Sequence, residues 1–155
     1  MLANPKTNPK IDWEMMAINS HFQTAQAAQT LLQQGQTEEA KAALNELVEA
    51  MSRSERQALK SQLIHLMMHI IKWKTQPNKR SRSWIVLILD ARDAIEESQE
   101  EMPCLNREFI ESLWDQSFVK AKRKAEAEMN CKSSISSLTW KEVFEDKYLL
   151  DELLT

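Results

Sequence analysis

The sequence predicts an all-α protein, a single compact bundle of about five or six helices. Three observations carry that prediction. One glycine, Gly35, occurs in 155 residues, whereas sheets and phosphate-binding loops need glycine for tight turns and close backbone approach. The strong helix formers Ala, Leu, Glu, Gln, Lys and Met are frequent. In mid-chain, Leu59, Leu63, Leu66, Ile70 and Trp73 recur at helical spacings of 4, 3, 4 and 3. The glycine count also excludes a Rossmann fingerprint and a P-loop.

Each element follows from local signals. Residues 1–10, with two Asn-Pro steps and few apolar groups, are expected to form a loose arm before a single helical domain, 11–155. A first helix is expected from Asp12 to Gln34, with Trp13, Met16, Phe22, Ala27 and Leu31 as its apolar stripe. Gly35 suits the left-handed position that ends a helix. Thr37 is placed as the cap of a second helix, TEEAKAALNELVEAM. Ser52-Arg53-Ser54-Glu55 matches a capping box, so a third helix is expected from there to about Lys74. Ile64, Met67 and Ile71 form a second stripe beside its heptad seam, and so wide an apolar arc implies several packed neighbours.

Pro77 stops that helix. WIVLIL (84–89) could be a buried strand, but Trp84, Ile88, Ala91 and Ile95 keep helical spacing and predict a fourth helix over about 82–100. Asn106 is placed as the cap of a fifth, REFIESLWDQSFVKAKRKAEAEM, with Ile110, Trp114 and Phe118 in its stripe and Leu113 beside them. NCKSSISSL (130–138) reads as a polar loop. Thr139 caps a short terminal helix, and YLLDELL is a candidate to continue as another.

Composition narrows the class. Apolar residues make up 43%, charged residues 28%, and the net charge is −3. No apolar leader opens the chain and no run approaches the ~18 residues of a membrane span. Cys104 and Cys131 form no CxxC pair. The expectation is a cytoplasmic protein with reduced thiols, no cofactor and no membrane contact.

The strongest functional lead is KWKTQPNKRSRSW, Lys72 to Trp84. It joins Lys72, Lys74, Lys79, Arg80 and Arg82 to Trp73 and Trp84 around one proline. No acid occurs between Glu55 and Asp90, whereas DARDAIEESQEE then carries six. Lys72 and Lys74 suit the negative end of helix three. Arg80 and Arg82 fall at the positive end of helix four, where a cation is unfavourable by roughly 0.3–1 kcal/mol. An internal carboxylate, stacking on a tryptophan, or an external anion would offset this. Binding of nucleic acid through all five cations would give a log–log salt slope of roughly −4 to −5.

With these elements in place, HLMMHIIKWKTQPNKRSRSW resembles the signature of a bacterial family, abundant in cyanobacteria, known as domain of unknown function twenty-nine. The matching positions are His69, Lys72, Trp73, Gln76, Pro77, Arg80, Ser81, Arg82, Ser83 and Trp84. LLQQGQTEEA, MSRSERQALKSQL, Arg92 and SLTWKEVFEDKYL are similar to flanking segments of that family. WIVLILDARDAI is more apolar than the family's usual stretch, and MPCLN replaces its usual turn. The resemblance implies a helical bundle and supplies no catalytic residue.

Other candidates are weaker. His65 and His69, at i and i+4, share one helical face and could supply two metal ligands; an HExxH pattern is absent, and the sequence singles out neither His21 nor any Glu or Asp of another helix as the third ligand. Lys120-Ala-Lys-Arg-Lys124 reads as a solvated face. No Gly-x-Ser-x-Gly elbow is present. Eight Met and five Trp are read as core. The expected role is a non-enzymatic regulatory or interaction module for an unidentified protein partner. Its contact surface is expected around Lys72, Lys74, Lys79, Arg80, Arg82 and Trp84. The alternative is nucleic-acid or phosphate binding by the same turn, and the third reading is a metal-dependent enzyme using His65 and His69.

Overall fold

The computed structural model describes residues 10–151. Helix is the only regular secondary structure among them, so the chain is all-α. The helices are α1 (Trp13–Asn19), α2 (His21–Gln33), α3 (Thr37–Thr75), α4 (Arg82–Glu101), α5 (Arg107–Ser112) and α6 (Trp114–Met129). A 3-10 turn (Pro77–Lys79) and a π-helical turn (Lys141–Glu145) complete the set. The chain divides into two compact units, Met1–Ser54 and Glu55–Thr155. Nearly all of the expected N-terminal arm lies outside the described residues.

In the first unit the expected helix over 12–34 is two helices. Ser20 takes an extended backbone, donates its N–H to the Met16 carbonyl, and caps α2 by accepting the Gln23 N–H at 3.1 Å. A serine hydroxyl competes with helical backbone groups and is a strong N-cap, which is why the break falls there. Buried Trp13, Ala17, Thr24 and Ala28 keep helical spacing across the break, and Phe22, placed in the expected apolar stripe, lies on the opposite side of that row and is 73% exposed. Trp13, Ala28 and Ala43 form the buried cluster. The Trp13 indole N–H donates to Glu39 Oε1 at 2.6 Å. Gly35 does end α2: at φ +78 it lets the Gly35 and Gln36 N–H groups return to the Leu32 and Leu31 carbonyls.

The largest correction concerns α3. The expected second and third helices are one helix of 39 residues. Thr37 is its first residue rather than its cap, because Ala40 N–H already bonds the Gln36 carbonyl. No glycine or proline interrupts 37–75. Serine in a helix interior costs only about half a kcal/mol relative to alanine. A capping box therefore starts a helix only where the chain upstream has left one. The signal still marks a boundary, since the second unit begins at Glu55.

The second unit is built on the C-terminal half of α3. Leu59, Leu63, Leu66, Ile70 and Trp73 are all buried, as are Ile64, Met67 and Ile71 of the second stripe. α4 adds Ile88, Ala91 and Ile95, which settles WIVLIL as helix. The expected fifth helix breaks at Leu113, whose N–H bonds the Ile110 carbonyl in a tightened turn. Downstream, Trp114 is held by its indole N–H on the Leu138 carbonyl (2.9 Å) and by stacking on Trp140. α6 then buries a row of small residues, Ser117, Ala121 and Ala125, ending in Met129. Asn130, left-handed at φ 52, ends it. Thr139 and Glu142 form a reciprocal capping box at the π-helical turn. No helix continues through 147–150, and the end of YLLDELL lies outside the described residues. Among the described residues no helix is long and apolar enough to cross a membrane.

Candidate functional site

Pro77 opens the 3-10 turn that reverses the chain after α3, and Ser81 caps α4 by accepting the Trp84 N–H. These two devices fix where the five cations of the turn project. Lys72 Nζ lies 2.7 Å from Glu128 Oε2 and 4.9 Å from the Trp84 ring centroid. Lys74 Nζ lies 2.6 Å from Glu142 Oε2. Both lysines also sit at the negative end of α3, as expected. Their hydrogen bonds hold the Glu128 and Glu142 carboxyls below the usual carboxylate range, against the opposing effect of desolvation.

Arg80 does not behave as a helix-start cation. Its side chain reaches back to α3, where Nε donates to the Trp73 carbonyl at 2.9 Å. Its guanidinium carbon lies 4.8 Å from the Trp73 ring centroid. The charge thus meets an unpaired carbonyl at the negative helix end, so the expected repulsion is replaced by attraction. Arg82 is the first residue of α4 and is exposed, as is Lys79. Neither has an ion-pair partner among the described residues. The turn therefore separates into three engaged cations and two open ones.

Sequence reasoning missed the partners. Trp73 packs edge-on against Tyr148 at 5.8 Å, and the Arg92 guanidinium carbon lies 5.6 Å from the Tyr148 ring. Arg92 donates from Nε to the Val143 carbonyl at 2.8 Å, tying α4 to the closing segment. The Tyr148 hydroxyl donates to the Glu142 carbonyl, and burial, then Asp146, pushes its pKa up to about 12. Thr75 and Ser133 share a hydroxyl hydrogen bond of 2.8 Å, which binds the 130–138 loop to the end of α3. Capping boxes and loops can be read from adjacent residues; pairings across more than fifty positions cannot.

The histidine pair is brought together, with ring centroids 6.1 Å apart. His65 is exposed and His69 is buried with Nδ1 unpartnered. Burial, then the nearby Lys72 and His65, lowers the His69 pKa, while Glu128 acts weakly in the other sense. Among the described residues no group of three or more His, Cys, Asp or Glu lies close enough to hold a metal ion. Lys120, Arg123 and Lys124 lie exposed on α6. Cys104 and Cys131 are both free and exposed.

Beyond the turn, α4 shows what its unusual apolar content does. Ile88, Ala91 and Ile95 face the core, yet Val86, Leu87 and Leu89 are 52%, 43% and 49% exposed. Leu89 and Ile85 also line a pocket of about 210 Å³ with Tyr148, Leu149, Arg92 and Lys147. The open cations Lys79 and Arg82 stand at the N-terminal end of this surface.

Residues 21–152 match the family model described as Domain of unknown function DUF29. The chain belongs to that family. The match takes in the turn, α4 and the closing segment, so the contacts among Trp73, Arg92, Glu142 and Tyr148 lie wholly within the family's domain. No curated protein and no solved structure matches the chain.

Proposed function

We propose that this protein is a non-enzymatic interaction module whose contact surface is the exposed edge of α4 beside the basic turn. One observation carries the reading: Val86, Leu87 and Leu89 lie open on a helix whose other face is fully packed. An exposed apolar surface rimmed by charge suits a protein partner. Lys79 and Arg82 add orientation and steering. Engagement of Lys72, Lys74 and Arg80 within the fold favours this over nucleic-acid binding. The two open cations would support a salt slope of roughly −2, well short of the value for five. The free, exposed thiols of Cys104 and Cys131 fit a reducing, cytoplasmic setting.

The test is affinity capture from native extract with the wild-type chain and with Leu89→Asp, whose side chain is exposed enough to leave folding intact. A protein retained by the wild type and lost in Leu89→Asp is the expected result. Recovery of RNA or DNA instead, undiminished in Leu89→Asp and weakened in Arg82→Glu, would replace this reading with the nucleic-acid one.

A further inference from the structure

We infer that the first unit pairs with a second copy of this chain through the outer face of α2 and the adjoining stretch of α3. From Met15 to Thr37 the chain has no Asp, Glu, Lys or Arg, although charged residues make up 28% of the whole. At that share about six would fall in a stretch of this length. The whole of α2 lies inside it. Charge depletion around exposed apolar and aromatic side chains is the compositional mark of an interface core.

The exposed residues form one face. Phe22 and Leu32 of α2 share a groove with Leu44 of α3, and the rest of its lining is alanine and glutamine. Leu44, Val48 and Met51 continue it along α3 at i, i+4 and i+7. All five are exposed, Phe22 at 73% and Val48 at 63%. The five are between 39% and 73% exposed, so they leave on the order of a few hundred Å² of apolar surface in water, the size at which an exposed patch marks an interaction site. A homodimer interface of standard size needs about 800 Å² per partner, roughly 65% of it apolar, and this patch supplies its core.

The occupant follows from charge. A partner that brought unpaired charges onto this face would bury them without counter-ions, at a cost of several kcal/mol each. The occupant must be as free of charge as the groove on α2, and that groove, lined by Phe22, Leu32, Leu44, alanine and glutamine, meets the condition itself. A two-fold axis sets it against its own copy. The first unit also has reason to pair: its buried cluster of Trp13, Ala28 and Ala43 is largely alanine, and small cores gain stability from association.

Sedimentation velocity on the full chain across the micromolar range tests this. The wild type is expected to sediment as a dimer. Phe22→Asp and, separately, Val48→Lys are expected to halve the mass with far-ultraviolet dichroism unchanged, both side chains being exposed. Val86→Asp on α4 is expected to leave the dimer intact. A wild type that stays monomeric throughout, a dimer that survives both first-unit substitutions, or one dissolved by Val86→Asp would each overturn the assignment.

Discussion

Arg80 bridges the end of α3 to the turn that follows, so its loss removes a charged hydrogen bond and a stacked cation together. Arg80→Ala is expected to lower stability by about 1–3 kcal/mol in urea titration. Arg82→Ala, which removes an exposed cation from a helix start, is expected to change it by less than about 0.5 kcal/mol. Equal losses at the two positions would show that the Arg80–Trp73 contact contributes nothing. Arg80→Lys should recover little, because the planar stack and the Nε bond are specific to arginine. His69 gives a pH dependence. Its folded pKa lies below the 6.5 of the free side chain, so the unfolded chain takes up the proton first. The stabilisation is complete above about pH 6.5 and declines as the pH falls below it. Glu128 and Glu142, lowered from 4.5, act only at lower pH still. Melting temperature should therefore drop between about pH 7 and pH 5, and His69→Leu should flatten that slope. A slope unchanged in the variant would assign it to another group. At this scale the sequence disclosed the helix-end lysines and the tryptophan seam. It could not disclose Glu128, which lies 56 positions from Lys72.

Helix α3 tests what a start signal means. In a continuous helix Ser52 is an interior residue, so Ser52→Ala should be neutral or stabilising by up to about 0.5 kcal/mol. If the helix began at Ser52, the same change would remove a cap and cost about 1 kcal/mol. Thermal melts of the two proteins distinguish these outcomes by sign. The helices were legible because apolar periodicity and caps are local, and Asn106, Gly35 and Thr139 all fall at or beside a terminus. The breaks at Ser20 and Leu113 were not. Each replaces an uninterrupted helical pattern, and at Leu113 the neighbouring element is anchored by a tryptophan bonded 24 positions away. The open face of α2 was within reach of the same periodicity: Phe22 stands nine positions after Trp13, which at about 3.6 residues per turn puts it on the opposite face from the stripe it was placed in.

Across the molecule the two units differ in how much they bury. Among the described residues the second unit gathers twenty buried side chains into one cluster, whereas the apolar side chains that the first unit buries are Trp13, Leu47 and five alanines. The first unit should therefore open at lower denaturant. Trp13 is the one tryptophan in the first unit, so Trp13→Phe should abolish the fluorescence change of an early transition while helical dichroism still reports it. A single coincident transition by both probes would show that the units unfold together. The all-α class followed from the scarcity of glycine, and that scarcity has a stereochemical corollary. At Gly35 a Cβ would meet nothing within 4 Å, so only handedness restricts the site. L-alanine there should cost about 1–2 kcal/mol, whereas D-alanine, introduced by chemical ligation, should fit without strain and raise the melting temperature by narrowing the unfolded ensemble. The turn between α2 and α3 is thus a place where the backbone would accept a mirror-image residue.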